Sequence, residues 1–163
     1  MKHVYNDGGR LEAGFKSTAD DCVARALAIA TGRPYQQIYD RLAEGNATQR
    51  RSKRETESES RTGKHTASNG IFTTRKWFKD YMIELGFVWV ATMGIGTGCK
   101  VHLRDGELPN GRLVCNVSRH ITAVIDGVIH DTHDPSRGGT RCVYGYWRLK
   151  DTGPHMRILE NEK

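Results

Sequence analysis

The stretch from Arg119 to Pro135, RHITAVIDGVIHDTHDP, limits the possible folds more than any other part of the chain. Asp126-Gly127 lies between two apolar, β-branched runs, the strongest short signal for a type I′ hairpin, whose two central residues need positive φ. A two-residue turn there sets Ile125 against Val128, Thr122 against Asp131 and His120 against His133. Alternation then puts His120, Thr122, Asp131 and His133 on one face, with His130 and Asp134 on the other. Asp131 becomes the diagonal neighbour of His120, with Cα atoms roughly 7 to 8 Å apart, a gap the two side chains can close with a hydrogen bond. An imidazole oriented by a carboxylate supplies two members of a catalytic triad and still needs a nucleophile.

Upstream the hydrophobic period is helical. Residues 1–16 read as an irregular or extended lead-in. Ser17 or Thr18 then caps a helix, Asp20 and Asp21 fall in its first turn, where the dipole favours acids, and Gly32 closes it. Cys22, Val23, Ala26, Leu27 and Ala30 form its apolar stripe. A second helix begins at Pro34, carries Tyr35, Ile38, Tyr39 and Leu42 inward, and stops at Gly45. Residues 46–70, NATQRRSKRETESESRTGKHTASNG, contain no large apolar residue. Such a stretch cannot bury enough surface to offset its ordering entropy, so it reads as a mobile polar loop within the domain.

Thr73 or Thr74 caps a third helix, in which Trp77, Phe78, Tyr81 and Leu85 recur at helical spacing before Gly86. Phe87 to Thr92 is a strand. MGIGTGCK is a flexible connector into another strand rather than a phosphate loop, because no helix follows it. Arg112 to Ser118 and CVYGYWRL complete the strands around the hairpin. The order predicts a single α+β domain over residues 1–163: N-terminal helices packed on a C-terminal antiparallel sheet of about five strands.

Composition works mainly by exclusion. No apolar run approaches the roughly 18 residues of a membrane span, and no leader pattern is present, which predicts an intracellular protein without a membrane partner. Cys22, Cys99, Cys115 and Cys142 are widely spaced with no C-x-x-C pair. That suits neither a disulfide scaffold nor a zinc knuckle, and Cys99, Cys115 and Cys142 read as structural thiols. The net charge of +6 permits nucleic-acid contact, yet only QRRSKR clusters it, so nucleic acid is weakly supported as a partner. His120, His130, Asp131, His133 and Asp134 resemble a metal-ligand set, but strand alternation splits them between two faces. No metal or other cofactor is expected.

A thiol attacks as the thiolate, and a helix N-terminus beside an imidazolium is the usual arrangement that favours it. Cys22 has the first by position, and His120 supplies the second if folding brings the two together. Asp20 and Asp21 oppose a thiolate unless they turn away or pair with Arg25.

These residues resemble a family. A Cys opening the first helix in DDCVARAL, a His beginning a strand in RHITAVIDG and an acid on the next strand in VIHDTHD look like the papain-like cysteine peptidase superfamily. Closest in size are its compact bacteriocin-processing members, which have an Asp-Cys pair at the nucleophile. The resemblance implies a papain-like fold with a helical part carrying Cys22, a sheet carrying His120, and a cleft between them. It also implies a peptide or protein substrate. Asp131-Thr132-His133 stands where papain has Asn-Ser-Trp, which makes Asp131 the third triad member and His133 the shield of its hydrogen bond. The family's oxyanion-hole Gln is replaced by Lys16, so Lys16, Ser17 and Thr18 are the candidate donors, with the Cys22 backbone N–H. The chain also looks similar to uncharacterised proteins of tailed phages, which implies a setting in the host cytoplasm. A non-catalytic protein that keeps this fold and binds a host protein or nucleic acid is the alternative.

Overall fold

The computed structural model describes residues 1–16, 20–48, 66–68 and 71–151. Its helices are α1 (Cys22–Thr31), α2 (Tyr35–Thr48) and α3 (Lys76–Glu84). Its strands are β1 (Lys2–Tyr5), β2 (Phe87–Ala91), β3 (Arg112–Val117), β4 (His120–Ile125), β5 (Val128–Asp131) and β6 (Val143–Leu149). They form one mixed sheet of six strands in the order β1-β5-β4-β3-β6-β2, where about five antiparallel strands were expected. The extra strand is the lead-in, which pairs parallel to β5 with Tyr5 beside Asp131. Nothing local marks KHVY as a strand; β5 makes it one by offering an unpaired edge.

The β4–β5 hairpin keeps its predicted register, with Ile125 opposite Val128 and Ala123 opposite His130. Asp126 and Gly127 both take positive φ, 47° and 77°, as a type I′ turn demands. His120 begins β4 and Asp131 ends β5, so both lie at the same end of the sheet.

Alternation along the strands divides the core in two. On one face Val114, Ile121, Ala123 and Trp147 pack against Ala24, Leu27, Ile38, Phe78 and Met82 of the helices. On the other, Leu113, Cys115, Val124 and Ile129 are covered by Leu103 and its neighbours Val101 and Leu108. Burying the valine, leucine, isoleucine, phenylalanine and methionine side chains among these contributes roughly 1.5–3 kcal/mol each, the largest favourable contribution to the fold.

Several boundaries differ from the sequence reading. α1 starts at Cys22, and Asp21 precedes it without capping it. Asp20 and Asp21 therefore lie outside the first turn, because Asp21 is drawn inward by tertiary partners. Ser17 and Thr18, the expected caps, lie outside the described residues. Gly45 does not stop α2, which runs to Thr48. It serves instead as a point of close approach: a Cβ there would sit 2.3 Å from the Trp77 ring. The expected polar loop thus begins inside a helix, with Asn46 buried. Its far end also packs: Ala67 is buried, and Tyr39 Oη hydrogen-bonds Thr66 Oγ1 at 2.9 Å and Ser68 Oγ at 3.0 Å. Residues 49–65, including QRRSKR, lie outside the described residues. α3 opens after Arg75 rather than after Thr73 or Thr74.

The cysteines differ too. Cys99 and Cys142 form a disulfide rather than two buried thiols, with Cα atoms 5.9 Å apart. The connector holding Cys99 leads only to a single bridging pair, His102 with Cys142, not to another strand. Sequence spacing hid this bond because the two residues meet through the packing of that connector on β6. Cys115 is the buried thiol expected, and burial pushes its pKa far up. Among the described residues no helix is long and apolar enough to cross a membrane.

Candidate active site

Cys22 opens α1 because the turn before it is held from below. Asp21, with 2% exposure, accepts a hydrogen bond from Arg10 Nε at 2.8 Å and another from the Tyr35 hydroxyl. Arg25, one helical turn on, places Nε 3.1 Å from Asp21 Oδ1. These atoms are close but not aligned as a hydrogen bond, since both lack one among the described residues. The negative charge expected to oppose a thiolate at Cys22 is therefore flanked by two buried guanidinium groups. Asp20, by contrast, is exposed.

His120 donates from Nε2 to Asp131 Oδ2 at 2.7 Å, the bond the hairpin parity predicts. Cys22 lies beside the same ring, close enough to help raise the imidazole pKa. With Nε2 engaged by Asp131, Nδ1 is the nitrogen left for the thiol. The rings of His120 and His133 lie 5.0 Å apart, so His133 flanks the imidazole where a shield was expected. Thr132 N donates to Asp131 Oδ1 at 2.7 Å and fixes the carboxylate from behind.

The electrostatics follow from these contacts. Burial disfavours the charged His120 ring, but the hydrogen bond to Asp131, with its charge, and the nearby Cys22 outweigh it and carry its pKa up to about 9. Burial also works against the Asp131 carboxylate. The His120 bond and charge prevail, with help from Thr122 and the Thr132 N–H, and hold its pKa below the usual carboxylate range. At neutral pH the pair is an imidazolium on a carboxylate.

Cys22 and His120 line a cleft of about 1210 Å³ between α1 and the end of the sheet, with Asp131 behind the ring. Comparison with protein-family models, with curated proteins and with solved structures finds no match for this chain. Its chemistry has to be argued from the residues themselves.

Lys16 is exposed and does not line this cleft; its carbonyl accepts from Arg10 Nη2 at 3.3 Å. Ser17 and Thr18 lie outside the described residues. The Cys22 N–H belongs to the first turn of α1, where backbone donors have no helical acceptor, and so can face a developing oxyanion. His130 takes the other face of the hairpin, with Nδ1 3.4 Å from Asn6 Nδ2. Among the described residues no three metal-ligating side chains converge.

Sequence reasoning missed Arg10 and Tyr35, the supports of Asp21. No local signal marks either, because both reach Asp21 across loops. Arg25 was the legible part, since an acid and an arginine four apart on a helix face each other.

Proposed function

We propose that this protein is a cysteine-dependent hydrolase with a papain-like arrangement, cleaving a peptide or amide bond by acyl transfer through Cys22, His120 and Asp131. The observation that carries the reading is the placing of Cys22 beside the His120 ring in one cleft, with that ring hydrogen-bonded to Asp131.

Cys22 Sγ attacks the carbonyl carbon, and the oxyanion forms beside the N-terminus of α1. The His120 imidazolium gives its proton to the leaving nitrogen as the C–N bond breaks, leaving a thioester on Cys22. Acylation removes the thiolate that helped hold the proton on His120, so the ring becomes a better base at the step that needs one. Neutral His120 then takes a proton from water, the resulting hydroxide attacks the thioester, and the acid leaves as Cys22 is restored. Asp131 keeps the ring oriented throughout. A cytoplasmic setting is part of the proposal: it keeps Cys22 reduced and exposes the Cys99–Cys142 bridge to reduction.

The test compares alkylation of Cys22 by iodoacetamide, read by mass spectrometry, with alkylation of free cysteine. Faster labelling at pH 7, lost in His120→Ala, supports an activated thiol. Cys22→Ala should abolish turnover of peptide substrates with the fold intact, and Asp131→Ala should lower kcat by about 10⁴-fold while leaving a residual rate. Labelling no faster than free cysteine would remove the basis of the reading.

A further inference from the structure

The cleft is wider than a one-residue substrate requires, and its lining follows the sheet. Tyr5, His133, His120, Asn116, Tyr144 and Trp89 all line it, and they come in turn from β1, the residues just after β5, β4, β3, β6 and β2. Five strands and the residues just after β5 contribute, so the cleft crosses the sheet at this end, about 24 Å at the usual strand spacing. That is the length of about seven residues of extended chain, and His120 stands inside it with two strands on one side and three on the other.

The β6 end carries an aromatic shelf. Trp89 and Tyr144 are 41% and 39% exposed. The Trp89 indole lies over Gly145, where a Cβ would meet it at 2.3 Å, and is backed by Trp147 at 5.2 Å. Tyr144 sits two strands from His120 and Trp89 three, about 10 to 14 Å, or three to four residues of extended chain. Between them Asn116 lines the cleft and bears a buried side-chain oxygen with no hydrogen-bond partner among the described residues.

Resting on the hydrolase reading above, we propose that the substrate is an internal segment of an extended polypeptide, with an aromatic or large apolar side chain on the Trp89–Tyr144 shelf about three to four residues from the bond cleaved. Tyr5, 62% exposed, marks the opposite end of the same track.

The experiment uses acetylated and amidated octapeptides in which one tryptophan is moved position by position, alongside a single-residue aryl ester. Cleavage of the blocked octapeptides is expected inside the chain, fastest with tryptophan about three to four residues from the bond. Trimming to one residue on either side should lower kcat/KM at least about tenfold, the order expected when a side chain loses its burial. Trp89→Ala and, as a variant at a more exposed site, Tyr5→Ala should each weaken octapeptide binding to Cys22→Ala protein, read by fluorescence anisotropy. Ester hydrolysis that depends on Cys22 but gains nothing from peptide length or tryptophan position would overturn the proposal and leave the hydrolase standing. Absence of both rapid Cys22 alkylation and all turnover would overturn the hydrolase reading and this proposal with it.

Discussion

Arg25 joins the two buried acids of the site: its Nε lies 3.1 Å from Asp21 Oδ1 and its Nη1 3.8 Å from Asp131 Oδ1. The same nitrogen donates to Thr132 Oγ1. One α1 side chain thus ties the turn before Cys22 to the carboxylate behind the His120 ring. Removing it would take one cationic partner from each of two buried carboxylates, leaving Asp21 to Arg10 and Tyr35 and Asp131 to His120. Breaking a buried pair of this kind typically costs about 3–5 kcal/mol, far above the value of a surface pair. Arg25→Ala is expected to lower unfolding stability by that amount, measured by urea denaturation; a loss below about 1 kcal/mol would mean that solvent reaches these charges.

The proton on His120 sets the pH response. Its folded pKa of about 9 lies above the ordinary 6.5, so the stability it contributes is complete below pH 6.5 and disappears as pH rises through about 9. Asp131 acts in the opposite sense. Its lowered pKa means that its contribution is present above the ordinary carboxylate range and is lost only in stronger acid. Melting temperature followed from pH 6 to 10 should fall across that window in the wild type and fall less in His120→Ala. Peptide hydrolysis should lose rate over the same alkaline limb, since acylation needs the imidazolium.

Gly45→Ala tests a competition of known sign. Alanine is the better helix former by about 1 kcal/mol. Its methyl group, however, would meet the Trp77 ring at 2.3 Å, and overpacking of this kind costs about 1–3 kcal/mol. The clash is expected to win, with net destabilisation in chemical denaturation and a changed near-ultraviolet signal from Trp77. A stabilised Gly45→Ala would show that α2 and α3 can separate without loss.

The Cys99–Cys142 bond closes a sequence separation of 43 residues, for which chain entropy gives about 4 kcal/mol at 25 °C. Reduction by dithiothreitol should lower the melting temperature of wild-type protein and leave a Cys99→Ser, Cys142→Ser variant unchanged. Equal melting curves with and without reductant would mean that packing alone holds the connector against β6.

The placing of the described helices before strands β2 to β6, the Asp126-Gly127 turn and the His120–Asp131 bond were legible in the sequence. Each depends on a local period or a turn residue, which a short window contains. β1 became a strand only because β5 had a free edge. Gly45 reads as a stop until Trp77 is seen to fill the space a side chain would take. The Cys99–Cys142 bond likewise needed a loop folded back on β6. The meeting of Cys22 with His120, and the Arg10–Asp21–Arg25–Asp131 chain beneath them, were settled by the docking of α1 on β4. The residues alone name candidates for such long-range contacts; the buried area gained when helix and sheet pack decides which of them touch.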